Sequence, residues 1–187
     1  MPGSELIIEN VGLNPTRAGL FAVLRAMGGS IEELNPREVG GESVADLRVR
    51  HSVLSGVEVD PAMAASMIDE FPILFVAAAL AQGRMVTRGL DELRVKESDR
   101  LSAMAAALTA AGARVEETAD GLVIDGTGGE QLRGSANARI KTHLDHRIAM
   151  SMAIAGLVSR EGVEVDDTRP IATSFPAFQT LLDGFVH

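Results

Sequence analysis

Residues 24–33 read LRAMGGSIEE and residues 108–117 read LTAAGARVEE. Five of the ten positions are identical and a sixth exchanges Ile for Val. Each copy closes an amphipathic helix pattern and opens onto two segments that alternate like strands. The repeated unit is therefore helix–strand–strand, which implies a domain with internal symmetry.

The helices around this repeat set the layering. ILFVAAAL (73–80), AMAAALTAAG (103–112) and IAMSMAIAGLV (148–158) carry no polar stripe wide enough to face water, so they read as buried. The strands alternate instead: VADLRVR (44–50) and ARVEET (113–118) place charge on every second side chain, the pattern of a sheet with one wet face. Helices inside and sheets outside is the architecture expected. Along the chain, ELIIEN, SIEELNP, VADLRVRHS, GVEVD, RMVTRG, ARVEET, GLVIDG and VEVDD read as strands. NPTRAGLFAVLRAMGG reads as a helix with Asn14 as N-cap and Pro15 at its first position, and SFPAFQTLLDGF as a last helix. NPREVGGESVADL (35–47) is Gly-rich but has no phosphate-loop lysine, and reads as a turn. The first two units close with strands after their second helix. The third stops at LLDGFVH, so its sheet edge is open or is completed by another segment.

Composition excludes several functions. The chain has 187 residues, 46% of them apolar, and fits a single domain over 1–187. Aromatics make up 3%, with no Trp or Tyr, which leaves little for stacking bases. The formal charge of −9 repels nucleic acid and anionic membranes. There is no cysteine, hence no disulfide and no thiolate chemistry, in keeping with a cytoplasmic protein. No apolar run reaches membrane-spanning length, and no basic leader opens the chain.

An anionic ligand would need a local cationic cluster, and two segments offer one. RVKESDR (94–100) and RIKTHLDHR (139–147) both run Arg, branched apolar, Lys, then polar residues, Asp and Arg. They hold both lysines of a chain with fifteen arginines. Both sit where a buried helix begins, and a helix N-terminus with added cations suits phosphate or carboxylate. Were the helix to start at Lys96, Lys96 and Arg100 would share a face. The plainer reading is that Ser98 and Asp99 cap the helix and the cations are solvated. Asp69 and Glu70, in MIDEFP, read either as an acidic N-cap or as a partly buried carboxylate tuned for proton transfer. His143 and His146, with one nearby Asp and no Cys, do not make a metal site.

These segments in order, NPTRAGL, GGESVADLRVR, IDEFPILFVAAALAQG, LRVKESDRLSAM, THLDHRIAMSMAIAGLV and IATSFPAF, resemble the 5-enolpyruvylshikimate-3-phosphate synthases over essentially the whole chain. The resemblance implies an α/β (α+β) fold: an inside-out, barrel-like domain of repeated βαβαββ units. It further implies that 1–187 corresponds to the second of two such domains, with the third unit incomplete. A missing N-terminal half would be the partner, and the open edge a surface for self-association. The activity implied is transfer of the carboxyvinyl group of phosphoenolpyruvate to the 5-hydroxyl of shikimate 3-phosphate, releasing phosphate, with no metal or organic cofactor. Glu97 matches the proton donor to the methylene carbon. Asp69 matches the residue that accepts the hydroxyl proton and holds the shikimate ring. Arg100 and Arg147 match the phosphoenolpyruvate anchors, and Lys96 a residue between the two substrates. One departure is Thr173, which stands where many members carry Lys. The sibling UDP-N-acetylglucosamine enolpyruvyl transferases usually rely on a cysteine that this chain lacks. Alone, the chain is expected to be inactive, a ligand-binding or purely structural half.

Overall fold

The computed structural model describes residues 2–135 and 139–184. The two repeat copies end their helices in the same way. Helix α1 (Gly19–Ala26) is followed by Gly28 at φ 93°, and the Gly29 amide reaches back to the Leu24 carbonyl at 2.8 Å. Helix α3 (Arg100–Ala110) is followed by Gly112 at φ 95°, and the Ala113 amide reaches the Leu108 carbonyl at 2.9 Å. Both are Schellman ends, in which a left-handed residue lets the chain reverse while the last carbonyls stay bonded. The identical glycine of the repeat is the residue that this geometry requires.

Each end feeds a hairpin. Strands β2 (Ser30–Val39) and β3 (Glu42–Arg50) turn through Gly40–Gly41, both at positive φ, as a two-residue hairpin of this hand demands. Strand β1 (Glu5–Gly12) lies on the other side of β3, giving an antiparallel sheet in the order β1-β3-β2. Strands β5 (Arg114–Glu117) and β6 (Leu122–Asp125) pair likewise, with β4 (Arg84–Val86) on the far side of β6. The second half of each unit is thinner than its sequence suggests. GVEVD (56–60) forms no strand and makes one parallel bridge to β4, Glu58–Val86, with a second just before each segment, Ser55–Gln82. Among the described residues VEVDD makes a single bridge, Val165 to Ile140.

The core lies between the sheets and three helices. Helix α2 (Phe71–Leu80) buries seven of its ten residues and packs on α3 and α4 (His146–Leu157). Phe71, Phe75, Met104, Ile148 and Met152 meet there with 1% exposure or less. Filling a core with Ala, Met and Leu lets these helices approach closely despite few aromatics. β1 by contrast is exposed along nearly its whole length.

Two local expectations need correction, and one open alternative is decided. Helix α1 starts at Gly19, not Pro15. The Asn14 side chain instead accepts from the Thr16 amide (3.0 Å) and hydroxyl (2.8 Å), closing a local turn that competes with helix. Helix α3 starts at Arg100, as a cap at Asp99 implies, so the condition under which Lys96 and Arg100 would share a helical face is not met. Lys96 ends a preceding 3₁₀ turn, Asp91–Val95. The segment SFPAFQTLLDGF divides, because Phe175–Ala177 separates α5 (Arg169–Ser174) from α6 (Phe178–Gly184). Pro176 forces this by disfavouring helix at the residue before it.

Candidate active site

Helices α3 and α4 are each opened by an aspartate. Asp99 accepts from the Ser102 amide at 3.0 Å, and Asp145 from the Arg147 amide at 2.9 Å. In both cases a short carboxylate satisfies an amide that the first turn leaves unpaired. The capping reading therefore holds for Asp99. Ser98 goes elsewhere, donating to Asp145 at 3.0 Å. That bond draws the two helix N-termini together.

Arg100 sits at their junction and is 1% exposed. Its Nε donates to Asp145 (2.8 Å), one terminal nitrogen to Asp69 (3.0 Å) and the other to Glu97 (2.5 Å). One guanidinium thus gathers three carboxylates, from residues 31, 3 and 45 positions away in sequence. Arg147 approaches from α4. It donates to the Asp69 carbonyl at 2.9 Å and lies 3.5 Å from the Asp69 carboxylate and 3.7 Å from Glu70. Asp69 and Glu70 make no capping bond to α2. They form a 3₁₀ turn, Ile68–Glu70, that aims Asp69 at both arginines. Asp69 and Glu97 keep 42% and 52% of their side chains exposed, whereas Asp145 is sealed.

The electrostatics follow from burial. Desolvation opposes charge on Asp145, but its bonds to Arg100, the Arg147 amide and Ser98 outweigh that and hold its carboxyl below the ordinary range. Arg100 is likewise penalised by burial, yet its acidic partners raise it further. Glu70 is the opposite case: burial pushes its carboxyl up, the neighbouring charge of Asp69 adds to that, and Arg147 only partly offsets it. Lys96 pairs with Glu92 at 2.5 Å, which raises its ammonium above the usual value, with the charge of Asp69 adding to the effect.

Four of the five site residues expected from sequence, Asp69, Glu97, Arg100 and Arg147, form one connected cluster. Lys96 stands beside it, engaged with Glu92. Arg94 is a strut. It binds Glu117 and Asp99 at 2.9 Å and the carbonyls of Thr118 and Ala119 at 2.7 Å, tying the 3₁₀ turn to the β5–β6 hairpin. In the second charged segment Arg139 pairs with exposed Glu164, and Lys141 is exposed. Thr173 turns its hydroxyl onto the Pro170 carbonyl. The sequence pattern gives Ser98 only as a helix cap, which it is not, and assigns Asp145 no role. Asp145 carries a local signal, since it stands at the N-cap of α4 as Asp99 does in α3, but a cap does not announce a shared arginine, and Ser98 stands one residue before its cap.

A family model for EPSP synthase (3-phosphoshikimate 1-carboxyvinyltransferase) matches residues 1–182. The chain belongs to the EPSP synthase family. A 3-phosphoshikimate 1-carboxyvinyltransferase of Novosphingobium aromaticivorans is 75% identical over 97% of this chain and 42% of its own length. The protein of that name from Sphingopyxis alaskensis is 71% identical over 98% of this chain and 41% of its own. Among solved structures, an EPSP synthase from Acinetobacter baumannii superposes with a TM-score of 0.92 at 40% identity, again over 97% of this chain and 42% of that one. The mixed α/β fold is therefore that of the family. The chain spans about two-fifths of the length of these relatives. No helix among the described residues is long and apolar enough to cross a membrane.

Proposed function

We infer that the Arg100 cluster is one wall of an enolpyruvyl transferase site, in which phosphoenolpyruvate and shikimate 3-phosphate react and phosphate leaves. In this reading the chain is the second domain of a two-domain cytoplasmic enzyme, built as an inside-out barrel of βαβαββ units. Its thin third unit, with bridges only at Leu132–Ser159 and Ile140–Val165 among the described residues, is the edge that another segment or a second copy pairs with.

The observation that carries the reading is the placement of two half-exposed carboxylates, Asp69 and Glu97, on the two terminal nitrogens of one guanidinium. The reaction needs an acid and a base held close together. A proton must reach the methylene carbon of phosphoenolpyruvate as the 5-hydroxyl of shikimate 3-phosphate attacks C2. The tetrahedral adduct then releases phosphate and returns the proton. Glu97 is the donor, Asp69 takes the hydroxyl proton, and Arg100 with Arg147 holds the carboxylate and phosphate of phosphoenolpyruvate. Lys96 lies between the two substrates.

The charge balance supports a second wall. Arg100 and Arg147 face Asp69, Glu70, Glu97 and Asp145, so carboxylates outnumber cations among these groups. Two polyanions can be held only if further cations come from outside this chain and water is shut out. The test is phosphate release from phosphoenolpyruvate and shikimate 3-phosphate, by this chain alone and together with the remaining part of a relative's chain. Turnover is expected only with the added part, rising with protein concentration. Glu97→Gln and Asp69→Ala should each lower kcat by about a hundredfold or more. Undiminished turnover in Glu97→Gln would remove the proton donor from the reading.

A further inference from the structure

The three carboxylates on Arg100 are held very unequally. Among the described residues Glu97 forms its one ion pair with Arg100, and half of its side chain is in water. Asp69 is shared between Arg100 and Arg147 and is also half exposed. Asp145 is fully buried and bonded through both oxygens. One accepts from Arg100 Nε and Ser98 Oγ, the other from the Arg147 amide.

An incoming carboxylate or phosphate can therefore compete for the two terminal nitrogens by displacing an exposed side chain, at little cost in desolvation. It cannot compete for Nε. Removing Asp145 from a buried guanidinium would leave a charge uncompensated in the interior. The same carboxylate also ties the first residue of α3 to the N-cap of α4, so it sets the distance between Arg100 and Arg147 as well as the plane of the Arg100 fork.

We propose that Asp145 is the positioning residue of this site: it fixes the Nε edge of Arg100 so that the two outer edges are presented to the anion, and Glu97 is the partner that yields to that anion. The inference rests on the anion-binding reading given above. Anion binding and the Glu97–Arg100 pair exclude one another. Asp145 and Glu97, which bind the same side chain, therefore act on affinity with opposite signs.

The experiment titrates phosphoenolpyruvate into this chain and follows backbone amides and arginine Nε–Hε resonances by NMR. In the unsubstituted chain, shifts should centre on residues 94–100 and 145–148; their absence there overturns the anion-binding reading and this inference with it. Given that binding, Asp145→Asn, which keeps the shape and removes the charge, should weaken it about tenfold or more and shift the Arg100 Hε resonance. Glu97→Gln should tighten it about threefold. A merely structural role for Asp145 predicts no such opposition. Equal affinity in Asp145→Asn with Arg100 Hε unmoved, or weakening in both variants, overturns the positioning role while leaving the site itself intact. Should Asp145→Asn fail to fold, Ser98→Ala removes one hydrogen bond to the same oxygen. It is then expected to weaken binding about threefold, and unchanged affinity with unmoved Hε overturns the proposal equally.

Discussion

Two aspartates in this molecule receive nearly the same set of bonds and do different work. Asp46, on the central strand of the β1-β3-β2 sheet, accepts from the Asn10 amide (2.9 Å), the Asn35 side chain (3.0 Å) and Arg37 (2.8 Å). Asp145 accepts from an amide, a hydroxyl and an arginine. Around Asp46 the arginine is spent within its own sheet: Arg37 also binds the Asn35 carbonyl and the Asn10 side chain. Around Asp145 the arginine is shared with two exposed carboxylates. Both clusters are well satisfied, but only in the second does the arginine carry further carboxylates, Asp69 and Glu97, each about half exposed. An arginine–carboxylate network marks a site where its outer members are exchangeable.

The largest difference should appear on deleting the arginine. Arg100→Ala leaves Asp145 charged and buried without its counter-ion, a loss of about 3–5 kcal/mol in urea unfolding. Arg37→Ala opens a network already near water and should cost about 1 kcal/mol or less. Comparable losses would mean that burial is not what separates the clusters. In a double-mutant cycle, adding Asp145→Ala to Arg100→Ala should cost less than the two single losses summed, because neither variant strands a charge once the other is made.

A middle-sized effect belongs to the sheet. Asn10 and Asn35 both adopt positive φ, 59° and 50°, where β1 and β2 slip register against β3 on either side of Asp46. Asparagine tolerates this conformation and also bonds the carboxylate between the strands. Asn35→Ala loses both advantages and should cost about 1–2 kcal/mol. Asn35→Gly recovers the backbone part and should cost less. Thermal unfolding separates them, and an alanine variant as stable as the glycine one would show that the bulge is not strained.

This asymmetry also explains what could be read in the sequence. Local rules found the hairpins, the buried helices and the repeat, because a Gly at the helix end and a run such as ILFVAAAL carry their cause within ten residues. Local rules misplaced the start of α1, where Asn14 offers the backbone rival bonds, whereas the Asp99 cap they allow for α3 is the one observed. The resemblance supplied Asp69, Glu97, Arg100 and Arg147 as site residues. The convergence of Asp69, Glu97 and Asp145 on the Arg100 guanidinium, and the approach of Arg147 to Asp69, depend on contacts up to 78 residues apart along the chain. No periodicity encodes such a meeting. Arg94, which looks like part of the charged site in RVKESDR, became a strut because the β5–β6 turn brings it two carbonyls.

The smallest effect concerns pH, and it sets Asp145 against Glu70 within the site itself. The folded state holds the Asp145 carboxyl below its ordinary value, so its contribution is present above the unfolded value of about 3.9 and is lost as pH falls through the folded one. Burial raises Glu70, so its contribution is present below about 4.3 and is lost as pH rises through the folded value. At neutral pH, ionised Glu70 is therefore a small cost and Asp145 a gain. Glu70→Gln should raise the melting temperature slightly near about pH 7 and leave it unchanged near about pH 3, where the native side chain is already protonated. Asp145→Asn should lower it near neutrality, with the gap to the unsubstituted chain narrowing only in strong acid. Melting curves of both variants across this range decide the matter. A Glu70→Gln offset that does not vary with pH would mean that packing, and not the charge on a half-buried carboxylate, separates the two side chains.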